Sequence, residues 1–178
     1  MNNPLLEMTD LPIFSAIRPE HVEPAIDTLL AHNRAQLEKL LDRGPPFTWD
    51  NLIRPIEDLD DRLNRAWSPV GHLNAVMNSP ELRTAYNACL PKLSEYYTEL
   101  GQNERLYQAY RSIKEGPAYL RLDTAQKTVI DHALRDFHLS GIDLAPEHKA
   151  RFKAIMQSLA QLQSKFQENV LDATQAWK

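Results

Sequence analysis

The stretch PEHKARFKAIMQSLAQLQSKFQENV, residues 146–170, decides the fold class of this chain. Its apolar residues recur every three or four positions, which is the period of one face of a helix and not of a strand. They are Phe152, Ile155, Leu159, Leu162, Phe166 and Val170. This spacing is close to an a/d coiled-coil seam, so we predict a long C-terminal helix that packs along a neighbouring helix through this row.

Two more long helices are predicted in the first half of the chain. Pro19 suits the first position of a helix, because the N–H that proline lacks would be unpaired there. That helix runs to about Arg43, and its apolar row is Val22, Ile26, Leu29, Leu30, Leu37, Leu40 and Leu41. A second helix opens near Pro55, and Pro69 with Gly71 predicts a kink or a break into two helices.

Helix caps place the remaining elements. Thr48 caps a short turn, and Ser79 with Pro80 restarts a helix that runs to about Leu100. Further helices are predicted for residues 104–115 and from Asp123, whose capping box uses Gln126, to about residue 140. No β-branched alternation typical of strands occurs. We therefore predict an all-α, antiparallel helical bundle over residues 19–178, preceded by an extended arm at residues 1–18.

Composition indicates one globular domain, or one domain with an appended helical hairpin, and argues against one class of function. The chain has 178 residues, 43% of them hydrophobic and 25% charged, which is ordinary for a folded domain. Its net charge of −4 argues against a nucleic-acid partner, which usually requires a basic surface. Residues 1–61 hold 12 acidic and 5 basic side chains, which we interpret as a solvated acidic face.

The expected location is the cytoplasm. Only one cysteine occurs, so an internal disulfide is impossible, as is typical of a reducing compartment. Residues 1–10 have no basic segment followed by an apolar one, so we expect no signal peptide. No apolar run approaches the roughly 20 residues that cross a bilayer, so no membrane partner is predicted.

The histidines and carboxylates show no catalytic or metal-binding spacing. His132 and Asp136 lie four residues apart on a predicted helix, but a zinc site needs three or four ligands, so we interpret them as a surface pair. The isolated histidines are interpreted as surface or partly buried residues: His32, His72, His138 and His148.

An acidic run is also interpreted as solvated surface. It consists of Glu57, Asp58, Asp60 and Asp61. Neighbouring acids on one helix point in different directions around its axis, whereas a catalytic pair needs a set separation across a cleft. Asp58 can instead pair with Arg62 one turn later.

The aromatic residues and the cysteine are predicted to pack and not to react. One interpretation is a wall of aromatic rings on which a ligand stacks. Its members would be Trp67, Tyr86, Tyr96, Tyr97, Tyr107 and Tyr110. Tyr107 and Tyr110 are three apart on one helix face, however, which is typical of a core or an interface. Cys89 has no basic neighbour in sequence that would lower its pKa, which predicts a small buried hydrophobe. No catalytic, cofactor-binding or metal-binding residue is therefore assigned.

Five segments of the chain resemble the M3 (thimet oligopeptidase-like) family of zinc metallopeptidases. They are Leu11–Pro12 with Phe14–His21, Trp67–Asn74, Asn78–Arg83, Leu134–Gly141 and Asn169–Thr174. The segments occur in order and span essentially the whole chain. Together they are therefore more specific than any one of them.

The resemblance implies a cytoplasmic zinc peptidase that is several times longer than this chain. The family fold is mainly helical and two-lobed, with a deep channel in which short peptides are cleaved. The family's H-E-x-x-H motif does not occur in residues 1–178, so zinc would bind only in a C-terminal catalytic domain. This segment would then be a non-catalytic channel wall that restricts substrate size, with short peptides and the catalytic domain as its partners. Trp177, an apolar residue at the chain's end, also indicates a fragment.

Two other functions stay open. A stand-alone helical module that binds a peptide or a partner helix in a groove would lack catalytic motifs equally. A small metal-binding bundle would need Glu-x-x-His pairs that face inward, and that pattern does not occur here.

Overall fold

The computed structural model describes residues 3–7 and 11–177, and all regular structure within them is helical. The six α-helices are α1 Pro19–Asp42, α2 Arg54–Val76, α3 Pro80–Gly101, α4 Glu104–Glu115, α5 Thr124–Leu139 and α6 Pro146–Ala176. Short helical turns cover Phe14–Ala16, Trp49–Ile53 and Pro117–Arg121. The all-α prediction is confirmed. Within the same residues, no helix is long and apolar enough to span a bilayer.

The predicted caps set the helix starts. Ser79 Oγ accepts a hydrogen bond from the Leu82 N–H (3.2 Å) at the start of α3. At α5, Asp123 Oδ1 accepts from the Gln126 N–H (2.8 Å) while Gln126 Oε1 accepts from the Asp123 N–H (3.0 Å). Each cap satisfies backbone donors that have no partner inside the helix, so the sequence alone locates these boundaries.

Helix α2 is continuous at its middle, where a kink or a break was predicted. It runs from Arg54 to Val76 through Pro69 and Gly71, so the break into two helices is wrong, while the kink stays a prediction. Pro69 is itself buried, and Val70 beside it is fully buried in the core. The packing of this face against neighbouring helices outweighs the backbone hydrogen bond that Pro69 removes.

Helices α1, α2 and α3 form the first core. The Asn33 amide on α1 donates to the Leu59 carbonyl of α2 (3.3 Å), while Lys92 on α3 reaches Glu23 (2.7 Å) and Asp27 (2.6 Å) on α1. With a second α1–α3 link further along, from Arg34 to Glu99, these contacts make α1 and α3 parallel. The buried residues include Val22, Ala25, Ile26, Leu29, Leu63, Ala66, Val70, Cys89 and Leu93.

A second core lies between the end of α1, the turn Trp49–Ile53, α4 and α5. It contains Leu37, Leu40, Leu41, Leu52, Ile53, Leu106, Tyr110, Ile113, Ile130 and Phe137. Leu100, near the end of α3, packs against both cores. The next residue, Gly101, lies so close to α5 that an added Cβ would be 2.4 Å from the Ser140 Cβ. The two cores are therefore joined where α3 ends.

The N-terminal arm is less extended than predicted. Leu5 is only 3% exposed and belongs to the first core, and the Asn3 amide donates to the His21 carbonyl (2.8 Å). Phe14–Ala16 forms a turn of 3₁₀ helix. The arm is therefore anchored to the bundle through Asn3 and Leu5. Its residues 1, 2 and 8–10 lie outside the described part. The boundary at residue 18 stays a prediction.

Helix α6 packs along α3, as predicted for a long helix beside a neighbour, but through the wrong face. Lys153 pairs with Glu95 (2.5 Å) and Asp172 pairs with Arg83 (2.7 Å), so the two helices are antiparallel. Buried Ser164 and Glu168 lie between these pairs. The apolar row that predicted the contact points away and is largely exposed. Spacing shows which residues share a face, but not which face meets the neighbour.

Removing the Leu63 side chain tests the first core. Leu63 is fully buried, so Leu63→Ala is expected to lower the free energy of unfolding by about 2–5 kcal/mol. Leu139 is 70% exposed, and Leu139→Ala as the matched control is expected to change it by no more than about 0.5 kcal/mol. Urea unfolding followed by circular dichroism measures both; equal losses would contradict this description of the core.

Candidate functional site

The paired and isolated histidines lie at the surface. His132 and Asp136 are both exposed, and Asp136 pairs with Arg135 (2.8 Å). Exposed positions are also taken by His32, His72, His138 and His148. Within residues 3–7 and 11–177, no group of three or more His, Cys, Asp or Glu side chains is arranged to hold a metal ion.

One histidine cluster was missed by the sequence analysis. His138 Nδ1 lies 2.5 Å from Asp143 Oδ2, and His138 Nε2 lies 3.3 Å from the Tyr107 hydroxyl. A carboxylate that orients an imidazole toward a hydroxyl is the arrangement used in nucleophilic catalysis. Here the His138 and Asp143 side chains are 49% and 68% exposed. These contacts join the end of α5 to α4. Water reaches both side chains, so the cluster is not enclosed as a catalytic site usually is.

Most of the acidic run on α2 is exposed, as predicted, while Asp60 is half-buried. Asp58 and Asp61 are exposed, and in the described part of the chain Asp58 forms no ion pair with Arg62. Asp60 accepts hydrogen bonds from the Asn64 amide (2.8 Å) and the Tyr97 hydroxyl (3.3 Å). Partial burial, together with the charges of Asp60 and Asp58, raises the pKa of Glu57 above its ordinary value. This carboxylate is therefore less stable in its charged form than a free one.

The aromatic residues of the predicted set contact other rings of the bundle. Trp67 stacks on Tyr86 with ring centroids 4.7 Å apart, which joins α2 to α3. Tyr107 and Tyr110 both meet the edge or face of Phe137 at 5.6 Å. Such pairs add to the energy of burial and fix the helix spacing. The prediction that Tyr107 and Tyr110 pack in a core is consistent with these ring contacts.

Cys89 is fully buried in the first core, which confirms the prediction. Burial raises the pKa of its thiol to about 12. Lys92, one turn later on α3, favours the thiolate, a basic neighbour that the sequence analysis overlooked. Burial outweighs this charge, so the thiol stays protonated and is a poor nucleophile.

A cavity of about 330 Å³ opens between the arm and α2. Its lining residues are Pro12, Phe14, Asn64, Arg65, Ser68, Pro69 and His72. Two of the family-like segments meet there, because Phe14 lies 5.5 Å from His72, measured between ring centroids. The volume is at the low end for a ligand site, and the lining is mainly apolar. The arrangement can bind a small apolar group, but it holds no paired acid and base.

The other exposed feature is the apolar row of α6. Its five members on the outer face are Ile155, Leu159, Leu162, Phe166 and Val170, each between 44% and 69% exposed. We call these five residues the α6 row. Single exposed apolar residues are normal, but an aligned row of this length is typical of an interaction surface.

Comparison with known proteins identifies the family of the chain. Residues 26–149 match the family described as neurolysin/thimet oligopeptidase, N-terminal domain. The chain therefore belongs to this family and corresponds to its N-terminal domain, which confirms the family predicted from the five segments.

The chain is similar to oligopeptidase A along its whole length. It is 51% identical to the proteins of Salmonella typhimurium and Escherichia coli over 177 residues, 99% of this chain and 26% of each relative. The Haemophilus influenzae protein is 50% identical over 178 residues, 100% of this chain and 26% of that relative. The chain thus spans about a quarter of the length of these relatives.

The buried Cys89 thiol is expected to resist alkylation. At pH 8, iodoacetamide should label the folded chain at least about 100-fold more slowly than the chain in 8 M urea, because a thiol of raised pKa is both protonated and inaccessible. Mass spectrometry of timed samples measures the rate. Labelling at the same rate with and without urea would show that Cys89 is accessible in the folded state.

Replacing Glu57 tests its raised pKa. Some carboxyl groups have a higher pKa in the folded than in the unfolded state. Such a group makes the protein less stable as the pH rises above its pKa in the unfolded state. Glu57→Gln is therefore expected to raise the urea midpoint at pH 7 and to lose this advantage near pH 3.5. Asp61→Asn, at an exposed acid of the same helix, is the control. A Glu57→Gln midpoint that is unchanged at pH 7 would refute the shift.

Proposed function

We propose that this chain is the non-catalytic N-terminal domain of a cytoplasmic, zinc-dependent oligopeptidase, where it forms one wall of the substrate channel and restricts substrate size. The observation that carries the proposal is the 51% identity over 99% of this chain to only 26% of oligopeptidase A. A segment that is similar along its whole length and yet covers a quarter of its relatives is one part of a larger enzyme.

The chemistry of bond cleavage is assigned to the other part. In a zinc peptidase the metal supplies a nucleophile by lowering the pKa of bound water. The described residues do not fit such a metal, because no three potential ligands converge. The contribution of this chain is therefore steric, and no residue of it is given a catalytic role.

The fold suits a rigid wall. Helices α1, α2 and α3 share one continuous core, and ion pairs from Lys92 to Glu23 and Asp27 tie α3 to α1 across their surface. Arg105 does the same for α4, reaching Glu38 and Asp42 on α1. A channel bounded by a rigid domain admits an extended peptide and excludes a folded domain. The proposed partners are accordingly short peptides and the catalytic domain.

A stand-alone helical binding module is the second candidate function. The exposed α6 row favours it, because an apolar helix face can bind a peptide or another helix. The two candidates differ in whether the chain restores a peptidase.

The test joins this chain to the part of Escherichia coli oligopeptidase A that follows the aligned region. The chimera is expected to cleave a quenched fluorescent short peptide, to lose activity with a chelator, and to leave a folded protein substrate intact. The chain alone is expected to cleave neither substrate, since residues 3–7 and 11–177 hold no group of three side chains arranged to bind a metal ion.

The intact Escherichia coli relative is the positive control for this assay. Chelator-sensitive cleavage by the chain alone would refute the non-catalytic role. A chimera that is folded but inactive would refute the domain role and favour the binding module. Cleavage of the folded substrate would refute the restriction of substrate size.

A further inference from the structure

The α6 row is an apolar surface with no partner in the described part of the chain. Leu162 and Phe166 are 67% and 69% exposed, and Val170 is 51% exposed. From residue 155 to residue 170 the row extends about 22 Å along the helix. The hollow between Leu162 and Phe166 is lined by these two residues and by the neutral side chains of Gln163 and Gln167.

The row faces outward because the opposite face of α6 is held against α3 by polar contacts. The Asn87 amide donates to Glu168 Oε1 (2.6 Å) and its Oδ1 accepts from the Ser164 hydroxyl (2.8 Å). Arg83 donates two hydrogen bonds to Asp172 (3.0 and 2.7 Å). Rotating the helix would break these hydrogen bonds and separate Arg83 from Asp172.

We propose that the α6 row docks against an apolar helix of the catalytic portion that follows this domain in oligopeptidase A; this inference rests on the proposed function. The relatives are about four times as long as the matched region, so they contain such a portion. The a/d spacing of the row fits a helical partner, whose side chains would enter the hollow beside Phe166.

A second copy of the chain fits the row less well. A stable dimer buries about 800 Å² on each partner, which one row of five partly exposed side chains does not supply. A segment of the same polypeptide needs less contact area, because the tether holds it at a high effective concentration. The α6 row is therefore an interdomain contact, and the channel wall is formed by another face of the domain.

Cysteine labelling tests the docking. Leu162→Cys and Val170→Cys are made separately in the chain and in the chimera, with Leu120→Cys, at a residue 79% exposed and outside the row, as the matched control. In the chain alone all three thiols are expected to react rapidly with a maleimide. In the chimera the two row thiols are expected to react at least about 100-fold more slowly than the control.

Each result decides the proposal. Equal rates for the row and control thiols in an active chimera would overturn the docking while leaving the proposed function intact. Protection in a folded but inactive chimera would support the docking and contradict the proposed function. Protection in the chain alone that grows with concentration, together with a dimer in sedimentation, would overturn the proposal in favour of a second copy.

Discussion

The polar contact centred on Asn87 determines which face of α6 is exposed to solvent. Its amide satisfies both the Ser164 hydroxyl and the carboxylate of Glu168, which is only 7% exposed. A buried carboxylate without such a donor would be strongly destabilising. The contact therefore fixes the rotation of α6 about its own axis, and with it the outward direction of the α6 row.

Helix α3 carries two kinds of interface on its opposite sides. Leu93 and Cys89 enter the first core beside α1 and α2, while Arg83, Asn87 and Glu95 meet α6. The apolar side holds α1 to α3 by burial, and the polar side selects one register for α6 by hydrogen bonds. This division explains how a 31-residue helix can lie on the bundle with its apolar row outside.

Local chemistry could be predicted from the sequence, but the partners of each face could not. Ser79, Asp123 and Pro19 act within one helical turn, so their effect is visible in the sequence. Pro69 is different, because in the sequence a proline within a helix indicates a break. Burial of Pro69 and Val70 against residues distant in sequence outweighs that effect. The contact of Tyr107 with His138 joins residues 31 positions apart, and no spacing rule indicates it. The spacing of the α6 row showed that its residues share one face of the helix. Which face of α6 meets α3 depends on Asn87, a residue of another helix.

The close approach of Gly101 to Ser140 has a consequence for how the molecule comes apart. Leu100 contributes to both cores, and the next residue leaves no space for even a methyl group against α5. A change in the packing of one core is therefore transmitted to the other through the tight contact between Gly101 and Ser140. We therefore expect the two halves of the bundle to unfold as one cooperative unit.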